Sequence, residues 1–437
     1  GKAGYPFALV FGNPKPSIDL AAALYQVKRG ADGLSVEFEY SSGKVTSKKT
    51  FSFSQNTYLT QLTSDVTENG APAPHQIAWR GGFGDLAVAA PDAAQHSIYY
   101  DLGESKLIIK QAKDAKDAPV TASGTFSFAG VEYLYFAAVY LPSGNGASQG
   151  QTFSDSVLTP FQKEEAAFAG AAVGGEGRNR FSLYVGPKDI DVLQTVNPRL
   201  AQVVDWGWFG FLAKPLFLLV RWTDERYIHN YGWTIIVVTI FINFAMFPLK
   251  LSSLKSMKKM QAIQPQIKSL QDKYKSLSMK DPKRQEQNQE MMQLYTKHGV
   301  NPLGGCIPML LQMPFLIAFY TVFTVAIEMR GAGWLWVADL SQAETIPIRI
   351  LPIIMTASQF IMQKMTPATG TDPNQQKMML LMPLVFGFMF YGAASGLMLY
   401  WLTGNLVAIG QQWFFNRTTP SPAPEVSSQG KKKSGKK

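Results

Sequence analysis

The sequence predicts a two-part membrane protein, an antiparallel all-β sandwich followed by an α-helical bundle of five transmembrane helices with a cytosolic helical hairpin. Three observations predict it. Five long apolar stretches, nearly free of charge, lie between Trp233 and Phe415. Basic residues concentrate beside those stretches. Before about Val196, apolar and polar residues alternate at the period of a half-buried strand, punctuated by Gly, Pro and Ser.

Residues 1–196 carry the β pattern. Leu34, Val36, Phe38 and Tyr40 alternate with Ser35, Glu37 and Glu39, and Phe51 and Phe53 resume after a Ser-Ser-Gly turn. Phe126, Phe128, Val131 and the run Tyr133–Leu141 read as richer strands, with Pro142–Gly150 as a loop cluster. Roughly 190 residues suffice for one buried core. Cys306 is the only cysteine, so no intrachain disulfide supports that core. His75 and His96 stand in polar, loop-like contexts without ligand spacing and are expected at the surface. The apolar run Tyr5–Phe11 is too short for a signal peptide or a span, so export of this half calls for an upstream targeting helix outside the given chain.

Residues 197–230 read as a linker and an interfacial amphipathic helix. Trp206, Trp208, Phe209, Phe211, Leu212, Leu216, Phe217 and Leu219 are apolar, but Lys214, Pro215 and Arg221 interrupt them. Residues 231–416 form the five-helix core, with spans at Trp233–Leu249, Ile307–Ile327, Ile346–Met362, Met378–Tyr391 and Gly396–Phe415. Lipid cannot satisfy open backbone, so several such runs must bundle as helices. Lys250–Val300 has eleven basic and four acidic residues, net +7, and the chain after Asn416 is net +5, against +10 for the whole sequence. The positive-inside rule then places both segments in the cytosol and the β half outside. Within residues 251–299, Leu251, Leu254, Met257, Met260, Ile263, Ile267, Leu270 and Tyr274 recur at helical spacing, and Asp281-Pro282 opens a second helix. Lys255, Lys258 and Lys259 on that hairpin are the candidate docking residues. Residues 417–437 read as a disordered basic tail.

Polar groups inside the spans suggest a function. Thr239 and Asn243 share a face at i,i+4, with Asn243 seven residues before Lys250. Gln312, Tyr320, Thr321 and Thr324 polarise the second span, Gln359 and Gln363 end the third, and Tyr400, Thr403 and Asn405 polarise the last. Taken singly, each could be interhelical hydrogen-bond glue. Taken together on four helices, they favour a wetted cavity open to the cytosol. Met378–Tyr391 is also short, roughly 21 Å against a hydrocarbon layer of about 30 Å, which would thin the bilayer locally.

Asn301-Pro-Leu-Gly-Gly-Cys-Ile-Pro-Met-Leu-Leu-Gln-Met-Pro314 closely resembles the start of the third transmembrane helix of the bacterial YidC membrane protein insertases. Thr371–Met378, Ser395–Trp401 and Leu183–Lys188 are similar to further signatures of that family. The resemblance implies a periplasmic β-supersandwich, an interfacial helix, a five-helix core shared with the mitochondrial Oxa insertases, and an inner-membrane location. It implies a groove that takes the hydrophilic part of a short substrate while its apolar segment slides into lipid, without nucleotide hydrolysis. By position, Thr239, Leu316, Tyr400 and Trp401 fall at groove or substrate-contact sites, beside Asn243 and Gln312. The implied partners are nascent membrane proteins and the lipid bilayer, with the Sec translocon, the signal recognition pathway and the ribosome as further contacts. No cofactor, metal or specific nucleic acid is called for. Aligned on Met246-Phe-Pro-Leu249, Asn243 stands where most members have a groove arginine. An amide offers donors and acceptors but no fixed charge, so hydration is expected to matter more than charge, with Lys250 as the substitute cation near the mouth.

Other classes fit less well. A small-solute transporter would show inverted repeats with broken helices. A membrane-anchored carbohydrate-binding scaffold would leave its spans uniformly apolar. An enzyme would need paired carboxylates, metal spacing or a nucleophile with its base, and the spans offer none.

Overall fold

The computed structural model describes residues 5–13, 15–81, 95–144, 148–157, 165–274, 281–300, 307–365 and 373–419. The chain divides into two compact units, Gly1–Asp205 and Trp206–Lys437.

In the first unit the alternating segments pair into two antiparallel sheets. The smaller has five strands in the order Ala8–Phe11, His75–Trp79, Ala166–Glu176, Ser148–Val157 and Val120–Gly124. The larger runs Gln26–Arg29, Ser35–Ser41, Val45–Phe53, Leu59–Glu68, Arg178–Pro187, Phe136–Pro142, Phe126–Glu132, His96–Asp101 and Lys106–Lys110. The main core joins the two sheets: Leu9, Ile77 and Val173 pack with Phe51, Leu62 and Tyr140, while His75–Trp79 of the smaller sheet is buried on both faces, with Ala78, Phe153 and Ala172 in a second cluster. Both edge strands of the larger sheet carry lysine, which discourages edge-to-edge pairing. The Tyr5–Phe11 run finds its use as an edge strand, with Leu9 opposite Ile77. The β pattern stops before Val196, because Ile190–Val196 is a helix, α1. Asp189 caps it by accepting the Asp191 and Val192 amides at 2.8 and 3.1 Å.

The histidine expectation is corrected here. His75 lies on a strand and is buried. Asn179 Nδ2 and the Ser64 hydroxyl meet its Nε2 at 3.1 and 2.8 Å, which leaves Nδ1–H to donate to the Ala73 carbonyl at 2.9 Å. Burial holds this imidazole below its usual pKa. His96 is half-buried, 3.4 Å from Glu132, whose other oxygen meets Lys188 Nζ at 2.8 Å. Burial opposes the charge on Glu132, yet Lys188 and His96 hold its carboxyl below the usual range.

The second unit is helical. It comprises α2 (Gly210–Thr223), α3 (Tyr231–Ala245), α4 (Phe247–Lys273), α5 (Lys283–Lys297), α6 (Ile307–Val325), α7 (Ile350–Met365), α8 (Pro373–Met389) and α9 (Ser395–Thr418). A π turn at Asp224–Ile228 and a left-handed His229 bend α2 from α3 by 117°. Asn230 then caps α3, and the Thr234 hydroxyl donates to Asp224 at 2.9 Å inside the bend. α2 buries Ala213, Leu216, Phe217 and Val220 and exposes Phe211, Leu218 and Trp222, with Trp208 exposed just before it.

Each of the five apolar stretches is helical, with shifted bounds. The first ends at Ala245, because Pro248 lacks an amide hydrogen and starts α4; Lys250 therefore belongs to α4. The fourth begins five residues earlier than the apolar run, at Pro373. The last continues through Arg417 and Thr418, so the tail begins later than residue 417. Among the described residues no single helix is long and apolar enough to cross a membrane by itself, and only the bent α2–α3 pair reaches that length and composition. α4 and α5 pack as a hairpin through Met260, Ile263, Ile267, Tyr295 and Val300. The Lys275–Lys280 connection, the Asn301–Cys306 half of the long motif and residues 420–437 lie outside the described residues.

Candidate functional site

Four of the six candidate groove residues converge where α3, α6 and α9 meet. Thr239 and Asn243 turn one face of α3 toward α9, and both are buried. Asn243 Nδ2 donates to the Thr239 carbonyl at 2.9 Å. Lys250 Nζ reaches back across the α3–α4 break and donates to Asn243 Oδ1 at 2.7 Å. From α9, Gln411 Nε2 donates to the Asn243 carbonyl at 3.2 Å. On α6, Gln312 Nε2 donates to the Tyr400 hydroxyl at 2.6 Å, and the Tyr400 ring stacks on Phe319 at 4.1 Å. Gly404 stands between these two sets. A Cβ there would lie 3.8 Å from Asn243 Nδ2 and 3.9 Å from Gln312 Nε2, ordinary contact distances, so a methyl fits there and a larger side chain would meet both amides.

Leu316 is half-buried one turn along α6 from Gln312. Trp401 does not join the layer. Its ring packs on Phe386 of α8 and Phe390 just beyond it at 5.9 and 5.3 Å, because neighbouring residues on a helix point about 100° apart. Asn405 donates to Ser358 of α7 at 2.9 Å, which is interhelical glue. The Thr321 and Thr324 hydroxyls return to their own helix at Ile317 and Tyr320.

Thr239, Asn243 and Tyr400 are at most 3 % exposed, so no open notch reaches these three side chains in the structure. Gln312 and Lys250 at the margin of this polar layer are half-buried, and Lys250 lies over Asn243. Closure is incomplete in hydrogen bonds, however. The Thr239 hydroxyl and Gln411 Oε1 are buried without a partner, which costs roughly 1–3 kcal/mol each unless they are solvated. Gln411 and Gly404 escaped the sequence reading. Tyr400, Gly404 and Gln411 stand at i, i+4 and i+11, a helical stripe that could have been followed past Asn405.

Similarity to known proteins can now be set beside this geometry. A membrane protein insertase YidC from Geobacter sp. (strain M21) is 35 % identical over 384 residues, covering 86 % of this chain and 68 % of the relative. The chain belongs to the YidC membrane protein insertase family. Residues 11–219 match the model of the YidC periplasmic domain and residues 223–422 that of the 60Kd inner membrane protein. The YidC insertase of Geotalea daltonii is 34 % identical over 412 residues, 93 % of this chain and 76 % of its own. A solved active YidC insertase with its first transmembrane domain resolved aligns over 92 % of this chain and 82 % of its own, at 17 % identity and TM-score 0.40. By the match of residues 11–219, the β-sandwich is the periplasmic domain of a YidC-family inner membrane protein.

On the α4–α5 hairpin of this YidC-family chain, Lys255 and Lys259 are exposed, but Lys258 is buried. Its ammonium bonds the Thr419 carbonyl and lies 4.9 Å over the Phe415 ring. The expectation that all three lysines dock a partner is corrected for Lys258, which seals the end of α9. A cation there complements the helix C-terminal dipole.

Proposed function

We propose that this chain inserts short membrane proteins into the lipid bilayer, with the Asn243–Lys250 layer receiving their hydrophilic segments. The observation that carries the reading is a buried polar layer with unfilled hydrogen-bond capacity, set among helices that family membership assigns to an insertase. The Thr239 hydroxyl and Gln411 Oε1 are acceptors for water or for an incoming peptide N–H. Lys250 is a movable gate: its long side chain covers Asn243 when the site is empty and swings to an acidic substrate group when it is filled. Opening therefore hydrates the layer, and the driving energy is burial of the substrate's apolar segment in lipid at about 25 cal/mol per Å².

In this reading α3, α6, α7, α8 and α9 cross the inner membrane, α2 lies in its outer interface, and the hairpin with its lysines is cytosolic. α3 has 15 residues and α7 has 16, so each is about 22–24 Å long. Such spans thin a hydrocarbon layer of about 30 Å and shorten the path of a polar segment. The exposed Lys255 and Lys259 are docking points for the targeting machinery, the ribosome or the Sec translocon.

The test is insertion by purified protein in liposomes of a short single-span substrate with a translocated hydrophilic end. Wild type and Asn243→Ser insert it, and Asn243→Leu does not. Equal yields from all three rule out the polar layer as the receiving site.

A further inference from the structure

The loop between α6 and α7 builds a second feature that the polar layer does not use. It folds against the start of α9, where the Ser395 and Gly396 amides donate to the Gln342 and Leu340 carbonyls at 2.7 and 2.8 Å. The result is a cavity of about 600 Å³ walled by Gln342, Glu344, Thr345, Pro347, Arg349 and Tyr391. Arg349 is pinned in that wall. Its Nε donates to the Glu344 carbonyl at 3.2 Å, its Nη1 to the Tyr391 carbonyl at 2.8 Å, and its plane lies 5.2 Å over the Tyr391 ring.

A guanidinium carries five N–H donors, and these two carbonyls leave its Nη2 end uncommitted. Among the described residues no carboxylate pairs with Arg349. Glu344, whose carbonyl accepts from Arg349, has both carboxylate oxygens engaged, one by the Trp336 indole and the other by the Leu351 amide at 2.9 Å. Nearby, Ile348, Ile350 and Phe388 are exposed, as is part of Trp336. A fixed, half-buried cation in a bowl, flanked by bare aliphatic and aromatic side chains, suits an anion that arrives attached to hydrocarbon.

We propose that this bowl binds the phosphate diester of an outer-leaflet lipid, with anionic headgroups preferred. The planar fork of Arg349 bonds two phosphate oxygens, and the acyl chains run down past Ile350 and Phe388. Trp336 and Tyr391 sit at headgroup depth, where amphipathic rings collect. The inference rests on the proposed topology, which puts the Arg349 end of α7 opposite its Lys364 end. A bound lipid would brace α7 against α8 at the end remote from the receiving layer.

The full chain in nanodiscs is probed by electron spin resonance with spin-labelled phosphatidylglycerol and phosphatidylcholine. Wild type enriches the phosphatidylglycerol label at its surface, and Arg349→Gln lowers that preference about fivefold, the effect of one surface cation on an anionic lipid. Arg349→Lys keeps part of it. Thr345→Glu, at an exposed position on the wall, removes the preference by repulsion while leaving every Arg349 hydrogen bond in place, so it decides the matter even if Arg349→Gln fails to fold. Unchanged preference in Thr345→Glu overturns the site. Displacement of the label by inorganic phosphate, or by a soluble acidic peptide, also overturns the lipid assignment. Substrate insertion measured on the same nanodiscs reports on the proposed function separately, since lost headgroup preference with intact insertion supports the lipid site alone.

Discussion

Replacing Lys250 with methionine separates charge from hydration in the proposed receiving layer. Lys250 Nζ stands 2.7 Å from Asn243 Oδ1 in a half-buried setting, and it is the cation in contact with that amide. A hydrogen bond to a charged group contributes roughly 1.5–3 kcal/mol, and each 1.4 kcal/mol is tenfold in an equilibrium. If the ammonium passes from Asn243 to an acidic residue of the substrate, Lys250→Met lowers insertion of a substrate with an acidic translocated segment by roughly 10- to 100-fold. A neutralised version of the same substrate loses far less, and Lys250→Arg restores the acidic one. The assay is protease protection of both substrates in proteoliposomes, run at low and high salt. Screening leaves a buried pair largely intact, so the difference between substrates should persist as salt rises. The reasoning is refuted if Lys250→Met affects both substrates equally, since the layer would then act through hydration alone, as Asn243 by itself suggests.

Three further outcomes concern the scaffold. His75 has its folded pKa below its unfolded value of about 6.5, so the stability it confers is present above that value and lost as pH falls below it. The melting temperature of the full chain, followed on the β signal, should drop between pH 7 and 5, and His75→Gln should flatten that drop. Lys188→Met leaves the buried Glu132 carboxylate with only His96 beside it and should cost about 3 kcal/mol, the low end for a broken buried pair, much of it recovered when Glu132→Gln is added, as read from denaturant midpoints. A Cβ at Gly232 would come within 2.2 Å of the Trp334 ring, so Gly232→Ala should destabilise the helical unit by roughly 1–3 kcal/mol and change tryptophan fluorescence.

The architecture was legible wherever one residue type answers to one local environment. Val36–Tyr40 alternate in sequence and lie on one strand, Ser35–Ser41, and Met260, Ile263 and Ile267 of the spaced apolar residues on α4 are the ones that meet α5. What escaped depended on partners distant in sequence. His75 sits among polar neighbours, yet Asn179, 104 positions away, closes over it, and no local composition signals that a histidine will be enclosed by a later strand. Pro248 was visible, but read inside an apolar run it seemed part of a span. Only the chain path shows that it starts α4 and carries Lys250 with it.

The polar layer of Thr239 and Asn243 illustrates a more general limit. Helical spacing shows which side chains share a face, so Thr239 with Asn243 was readable, but a shared face is the same for a wet groove and for a packed seam. The choice between them is made by what stands opposite. Here that is Gly404, whose small size leaves room for both the Asn243 and Gln312 amides beside α9, and Lys250, which arrives from the next helix. Bulk at Gly404 is therefore the sharpest probe of closure. Gly404→Ala meets only ordinary contacts near 3.8 Å and should be tolerated, whereas Gly404→Leu should hold α3 and α9 apart. Cysteine labelling at position 239 or 243 by a small hydrophilic reagent should then rise severalfold in Gly404→Leu relative to wild type. If labelling stays at the wild-type level although the protein remains folded, the seam is not held shut by the approach of α9, and closure must reside in Lys250 alone.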